Sequence, residues 1–208
     1  QDFTSFIGDI DGDQLILTAS ENIAITVGIE GYMVTFGAVP DFNGTEVITF
    51  TVDDSQGRLV ATDDISITVT PVNDAPVLTD LSSQATDEDV PLTITLTASD
   101  VENDDLTYSA VSDNEDISIS VSDDQLTMTP VLNFNGSANI TVTLSDGFLT
   151  DEGSFALAIA PVNDTPTIEL PDAFTFAEDG SFAQDFTSFI GDIDGDQLIL
   201  TASENIAI

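Results

Sequence analysis

The sequence has no cysteine, no histidine, no tryptophan and no lysine, and its one basic residue is Arg58. Each absence closes a class of function. Without cysteine there is neither a disulfide framework nor a thiolate metal site. Without histidine or cysteine the common nucleophile–base pairs of acyl transfer are missing. A lone cation cannot neutralise a run of phosphates, so nucleic acid is excluded as an electrostatic partner. Anionic membrane surfaces are excluded on the same ground. No apolar run is long enough to span a bilayer, and direct membrane insertion is not expected. What the sequence does have is acid: 39 Asp and Glu in 208 residues, for a formal net charge of -38. Yet 41% of its residues are hydrophobic and the mean hydropathy is +0.17. Acidic disordered tails are poor in apolar residues, so this chain folds.

The chain repeats itself, and periodicity constrains architecture before any other pattern. Residues 1–25 return letter for letter as 184–208, an offset of 183. Pro71-Val72-Asn73-Asp74-Ala75-Pro76 returns more loosely as Pro161-Val162-Asn163-Asp164-Thr165-Pro166, offset 90. Asp41-Phe42-Asn43-Gly44 returns as Asn133-Phe134-Asn135-Gly136, offset 92. Asp9 to Asp13 aligns with Asp100 to Asp104, offset 91. The unit is about half of 183, and two kinds of unit alternate. The expected frame is 1–74, a unit lacking its first strand or strands; 75–164, a complete unit; and 165–208, the start of a third. Residues 165–183 are the kind of segment that precedes Gln1 in an uninterrupted array. The chain reads as a window on near-identical two-unit blocks, or alternatively as an engineered copy of one end.

Alternation of apolar and hydroxyl residues marks strands at Ile65–Val69, Leu92–Thr97, Ile117–Val121 and Ile140–Leu144. Period two places Ile, Leu and Val on one face and Thr or Ser on the other. Half-buried strands of this kind build antiparallel sandwiches. Asn-Gly, Ser-Asp-Gly and Ser55-Gln56-Gly57 clusters supply the turns. No segment carries a helical stripe. The expected fold class is all-β, with six to seven strands in the complete unit arranged as an Ig-like Greek-key sandwich. The Pro-flanked Asn-Asp segments are extended links between sandwiches joined end to end.

Asp outnumbers Glu by 29 to 10, which suits turns and oxygen-ligand loops more than helix surfaces. Two carboxylates about 4 Å apart repel by roughly 1 kcal/mol in water and about 4 kcal/mol near a protein surface. Converging acidic loops with no lysine nearby therefore either stay apart in water or share a multivalent cation. Asp-x-Asp in extended or turn backbone points two carboxylates the same way. An all-oxygen donor set selects calcium or magnesium over zinc or copper. Asp192-Ile-Asp194-Gly-Asp196 lacks the glycine placement and the twelfth-position acid of an EF-hand.

Pro71–Pro76 resembles the interdomain linker of cadherins and of bacterial cadherin-like repeats, which stack in giant cell-surface adhesins often exported by type I secretion. Asp87-Glu88-Asp89, Asp100-Val101-Glu102, Leu132-Asn133-Phe134-Asn135 and Ser145-Asp146-Gly147 stand in the order of that family's acidic motifs. The resemblance implies structural Ca²⁺ at each link, with residues shared across the junction. At 161–166 the implied ligands are Glu88, Asp89, Asn133, Asn135, Asn163, Asp164, Asp192, Asp194 and Asp196. At 71–76 they are Asp41, Asn43, Asn73, Asp74, Asp100, Glu102, Asp104 and Asp146. Glu178 and Asp179 correspond to Glu88 and Asp89 of the complete unit, and Asp9, Asp11 and Asp13 face a junction outside this sequence. Asn at 133 and 135 implies one or two ions per link. The implied function is a calcium-rigidified stalk or filament that serves adhesion and biofilm by projecting a binding tip. It would be extracellular, at a bacterial surface or secreted, with neighbouring repeats and other cell-surface molecules as partners. No enzyme is expected. Paired carboxylates could act as in glycoside hydrolysis, but only Tyr32 and Tyr108 are available to line a sugar cleft beside phenylalanine. A carbohydrate- or cell-binding adhesin module is the alternative, and a filament-forming subunit completed head to tail ranks below covalent continuity of the repeats. Asp63-Asp64, Asp113 and Asp123-Asp124 read as solvated turns, Phe42 and Phe134 as buried turn anchors, and Arg58 as a loop residue neutralising acids.

Overall fold

The computed structural model describes residues 1–56 and 60–203. Arg58 and Gly57 lie outside the described residues. The chain divides into two compact units, Gln1–Asp74 and Ala75–Ile208. Residues 165–203 thus cluster with the unit before them. Among the described residues no helix is long and apolar enough to cross a membrane.

The first unit contains β1 (Ile16–Ala19), β2 (Ile25–Glu30), β3 (Met33–Ala38), β4 (Gly44–Asp53) and β5 (Val60–Val69). β1, β4 and β5 form one antiparallel sheet, and β2–β3 is a hairpin. Leu17, Ile25, Val34, Ile48 and Phe50 are its buried core.

The second unit contains β6 (Val77–Leu78), β7 (Gln84–Asp87), β8 (Leu92–Thr95), β9 (Ala98–Ser99), β10 (Thr107–Ser112), β11 (Ile117–Ser122), β12 (Gln125–Pro130), β13 (Gly136–Ser145), β14 (Thr150–Ala160), β15 (Thr167–Ile168) and β16 (Ile190–Gly191). One sheet has the order β10-β13-β14-β7 and a second the order β11-β12-β8. The chain leaves the first sheet after β10 and returns at β13, which is Greek-key wiring. Alternation decides what is buried. Ala138, Ile140, Val142 and Leu144 of β13 face Leu126 and Met128 of β12, with Phe155, Leu157 and Ile159 of β14 in the same cluster. Hydroxyls occupy the outer faces and pair across strands, Thr93 with Thr127 at 2.8 Å and Thr45 with Thr68 at 2.9 Å. β7 runs parallel to β14, Leu157 opposite Gln84 and Ala160 opposite Asp87.

Two expectations need correction. The run Leu92–Thr97 is not one strand. β8 ends at Thr95, and the Thr79 N–H then donates to Thr97 O at 2.9 Å, so the chain changes partner where β9 pairs with β6. Such short pieces raise the segment count of the complete unit above the expected six to seven. Asp63 and Asp64 are not in a turn. They lie within β5, where the Asp64 carboxylate accepts the Thr49 hydroxyl at 2.7 Å. Asp113 sits in an exposed bend, as expected, and its carboxylate holds the Asn139 N–H at 2.7 Å.

The two copies of the repeated segment separate local from nonlocal encoding. In each, an Asp carboxylate accepts both the N–H and the hydroxyl of the Thr two residues on: Asp2 from Thr4 at 2.8 and 2.6 Å, Asp185 from Thr187 at 2.9 and 2.6 Å. The paired rings repeat as well, Phe3–Phe6 at 6.0 Å and Phe186–Phe189 at 5.9 Å. Ile16–Ala19 is a strand because β4 is beside it, whereas the identical Ile199–Ala202 is not in a strand.

Phe42 and Phe134 each pack on a core and lie against the glycine two residues on. A Cβ on Gly136, at φ +150°, would meet the Phe134 ring at 3.2 Å. Gly136→Ala is therefore expected to cost about 1–3 kcal/mol in chemical denaturation. The Thr4 and Thr187 hydrogen bonds hold the Asp2 and Asp185 carboxyls below the usual carboxylate range. A lowered folded pKa stabilises the turn above the ordinary carboxylate value, and that contribution is lost as pH falls through the lowered one. An NMR titration should show Asp185 ionised to lower pH than an exposed Asp, and Thr187→Val should move it back up.

Candidate metal centre

Three acidic loops share one construction. Asp9 Oδ1 accepts the N–H groups of Asp11, Gly12 and Asp13 at 2.7, 2.8 and 3.2 Å. Asp100 Oδ1 accepts those of Glu102 and Asp104, both at 3.0 Å. Asp192 Oδ1 accepts those of Asp194 and Asp196, both at 3.1 Å. The fourth position takes positive φ in each, 82° at Gly12, 60° at Asn103 and 77° at Gly195. An Asp side chain thus ties its own loop and leaves the following acids on the rim. The amides of Asp13 and Asp11 hold the Asp9 carboxyl below the usual range.

The link 161–166 is where such a loop meets other acids. Glu88 directly follows β7 and is buried at 3% exposure. Its Oε1 accepts the Val162 N–H at 2.5 Å, and Asn135 Nδ2 lies 3.5 Å from Oε2. The Asp164 N–H donates to Asp194 Oδ2 at 2.7 Å. Asn163 Nδ2 donates to the Asp164 carbonyl at 2.9 Å, as Asn73 Nδ2 does to Asp74 at 3.1 Å. Asp89, at φ 64°, accepts the Asn133 N–H at 2.7 Å. Glu88, Asp164 and Asp194 each bring one carboxylate oxygen within 4.8 Å of the others. Oxygens ligating one calcium at about 2.3–2.6 Å lie at most about 5 Å apart across it, so the spacing fits a single shared ion. Asp164 Oδ2 is enclosed and has no hydrogen-bond partner. Burial, and then the charges of Asp194, Asp89, Glu88 and Asp192, push the Asp164 carboxyl above the usual range.

Of the acids assigned to this link from sequence, Glu88, Asp164 and Asp194 converge. Asp89 and Asp192 lie close enough to act on Asp164 by charge. Asp196 and Asn163 are exposed. The other assigned residues stand within their own units. Asp41, at φ 63°, and Asn43 flank Phe42 in the turn before β4. Asn73 and Asp74 are half-buried in the first link. Asp100 keeps Oδ2 enclosed and unpartnered, while Glu102 and Asp104 follow it in the loop. Asp146 is buried and accepts the N–H groups of Phe148 and Leu149, both at 2.6 Å. Glu178 and Asp179 are exposed in a turn, Asp179 at φ 60°. Missing from the sequence reading were the main-chain donors Val162, Asn133 and Asp164. The paired Asn-Asp letters after a proline are the one signal that could have marked two of those positions.

A group whose folded pKa is raised stabilises the fold below the ordinary carboxylate value, and that contribution is lost as pH rises through the raised one. In chelator at neutral pH, Asp164→Asn should therefore raise the calorimetric melting temperature of the second unit. A lower midpoint would count against strain at this carboxylate.

Residues 72–160 match the family model of the cadherin-like domain. No curated protein sequence matches the chain. Among solved structures, human protocadherin-24 EC1-2 aligns with a TM-score of 0.51 at 16% identity, over 73% of this chain and 84% of that one. Protocadherin gamma B7 cadherin domains 1–4 align at 0.49 and 18%, over 77% and 46%. An endo-fucoidan hydrolase of glycoside hydrolase family 107 aligns at 0.38 and 22%, over 73% of this chain and 24% of that one, so the chain spans about a quarter of that enzyme's length. At 16% identity the likeness to protocadherin-24 concerns the fold alone. Over residues 72–160, less than half of the chain, the sequence is similar to the cadherin-like domain.

Proposed function

We propose that this chain is a stretch of a calcium-stiffened extender, a stalk or surface filament that holds the binding tip of a large adhesin away from a bacterial cell. The observation that supports it is the convergence of Glu88, Asp164 and Asp194, with Asp164 Oδ2 enclosed and unbonded. The groups gathered at the link are carboxylates, with the side-chain amide of Asn135 beside Glu88. That set favours calcium, which takes six to eight oxygens in flexible geometry, over the tight octahedron of magnesium. Bound calcium would supply the positive charge that the chain lacks. Glu88 would reach it from the end of β7, Asp164 from the link and Asp194 from the loop of the following segment, with Asp89 and Asp192 adding charge around them. Since these residues come from 75–160, from the link and from 165–203, filling the site stabilises one arrangement of the three by mass action. Affinity on the order of 10⁻⁴–10⁻³ M is ordinary for extracellular modules. It keeps such a site filled outside a cell and empty within, so chains stay pliable during export and stiffen on exposure. Neighbouring repeats and other cell-surface molecules are the partners, and no catalysis is assigned.

Calorimetric titration with calcium should give affinity in that range, and Asp194→Asn should weaken it by about tenfold or more. Small-angle scattering in saturating calcium should show a narrower spread of dimensions than in chelator. Superimposable profiles in the two conditions would remove the extender reading.

A further inference from the structure

The first unit carries a groove of about 780 Å³ that plays no part in the metal site. One wall is Phe3, Phe6, Ile7 and Gly8, and the other is the face of β5 at Ile65 and Ile67. Asp63 and Asp64 also line it. In the second unit β14 stands where β5 does, at offset 90, so Phe155, Leu157 and Ile159 answer Ile65, Ile67 and Val69. Those three are at most 4% exposed, with β7 running parallel beside them, whereas Ile65 is 36% exposed. The groove thus has the lining of a seat for a strand of the β7 kind.

The repeat identifies the occupant. Residues 184–208 copy 1–25, so the segment that precedes this motif is 165–183. Its contacts with the motif are present in the structure. Thr167–Ile168 pairs with Ile190–Gly191, the Glu169 N–H donates to Phe189 O at 2.8 Å, and the Phe174 ring lies 6.0 Å from Phe186. Phe186, Phe189, Ile190 and Gly191 are the copies of Phe3, Phe6, Ile7 and Gly8, the whole first wall of the groove. Nothing among the described residues stands in for the second wall there, and Phe176 is left 61% exposed. By the offset of 90, Phe174–Ala177 answers β7, and the turns that follow match in φ, 64° at Asp89 and 60° at Asp179.

We propose that residues 165–183 of one copy fill the groove of a second copy, with Phe174–Ala177 added as a parallel strand beside β5. The β7–β14 register puts Phe174 opposite Ile67 and Phe176 opposite Val69. Gln84 and Thr86, which Phe174 and Phe176 replace, are the half-buried residues of β7, so both rings turn toward the seat. The donor brings its own 184–203 in place of the acceptor's 1–20, and the identical letters make that exchange neutral in contacts. Such a junction is heterologous and open, so its repetition builds head-to-tail chains. A longer polypeptide with this segment ahead of residue 1 would fill the seat from within by the same contacts. Both partners are strongly acidic, so added salt favours assembly by screening. No metal takes part, and the calcium reading can fail without touching this one.

The test is sedimentation equilibrium of the full chain in chelator at high salt. The parent should gain mass with concentration. Phe174→Asp/Phe176→Asp, which alters two exposed rings and leaves both cores intact, should associate roughly a hundredfold more weakly or worse, as loss of two phenylalanines from an apolar seat implies. A synthetic 165–183 peptide should bind that monomeric variant and shift the amide resonances of β5, and a scrambled peptide should not. A parent of monomer mass at every concentration, a variant that associates like the parent, or β5 resonances unmoved by the peptide would each overturn the proposal.

Discussion

Main-chain N–H groups do for this protein what lysine and arginine do for most. With 39 acids and one basic side chain, ion pairing cannot distribute the charge, and the carboxylates are held by amides instead. Asp2, Asp9, Asp100, Asp146, Asp185 and Asp192 each clamp the backbone just ahead of them, and Asp89 and Asp113 clamp backbone distant in sequence, a turn at Asn133 and a strand at Asn139. A carboxylate that accepts backbone hydrogen bonds is stabilised in its charged form without a counter-ion. Loop shape and charge tolerance are therefore one property here, which accounts for Asp outnumbering Glu, since only the shorter side chain reaches its own backbone two residues on.

This solution fails where the loops crowd. At the second link Glu88 and Asp194 each accept a backbone amide, but Asp164 spends its own N–H on Asp194 and is left with an enclosed oxygen that nothing donates to. The same electrostatics that make the isolated loops stable make their convergence costly. The site is defined by the shortage of donors as much as by the presence of ligands.

Much of this was legible in the letters. Period-two alternation gave β5, β11 and β13 because one face of each meets a core. The acids of the second link were legible because Asp-x-Asp and Pro-Val-Asn-Asp are local patterns. What escaped is nonlocal. The break after Thr95 depends on which strand lies alongside, and Asp63 and Asp64 join β5 because β4 offers its whole length as a partner. Ile16–Ala19 and Ile199–Ala202 show the limit plainly: one set of four residues, two outcomes, decided by a neighbour. That Asp164 rather than Asp89 carries the orphaned oxygen depends on where Val162 and Asn133 aim their N–H groups, and no spacing rule encodes that.

The parallel ladder between β7 and β14 bears on how the second unit meets tension. A pull through the chain acts on β7 from its N-terminal side and on β14 from its C-terminal side. In a parallel pair those points lie at opposite ends of the ladder. The load therefore runs along the strands, and the rungs from Leu157–Gln84 to Ala160–Asp87 must yield together instead of peeling one by one. A hairpin tugged from its open end gives way rung by rung; this arrangement resists as a lap joint does.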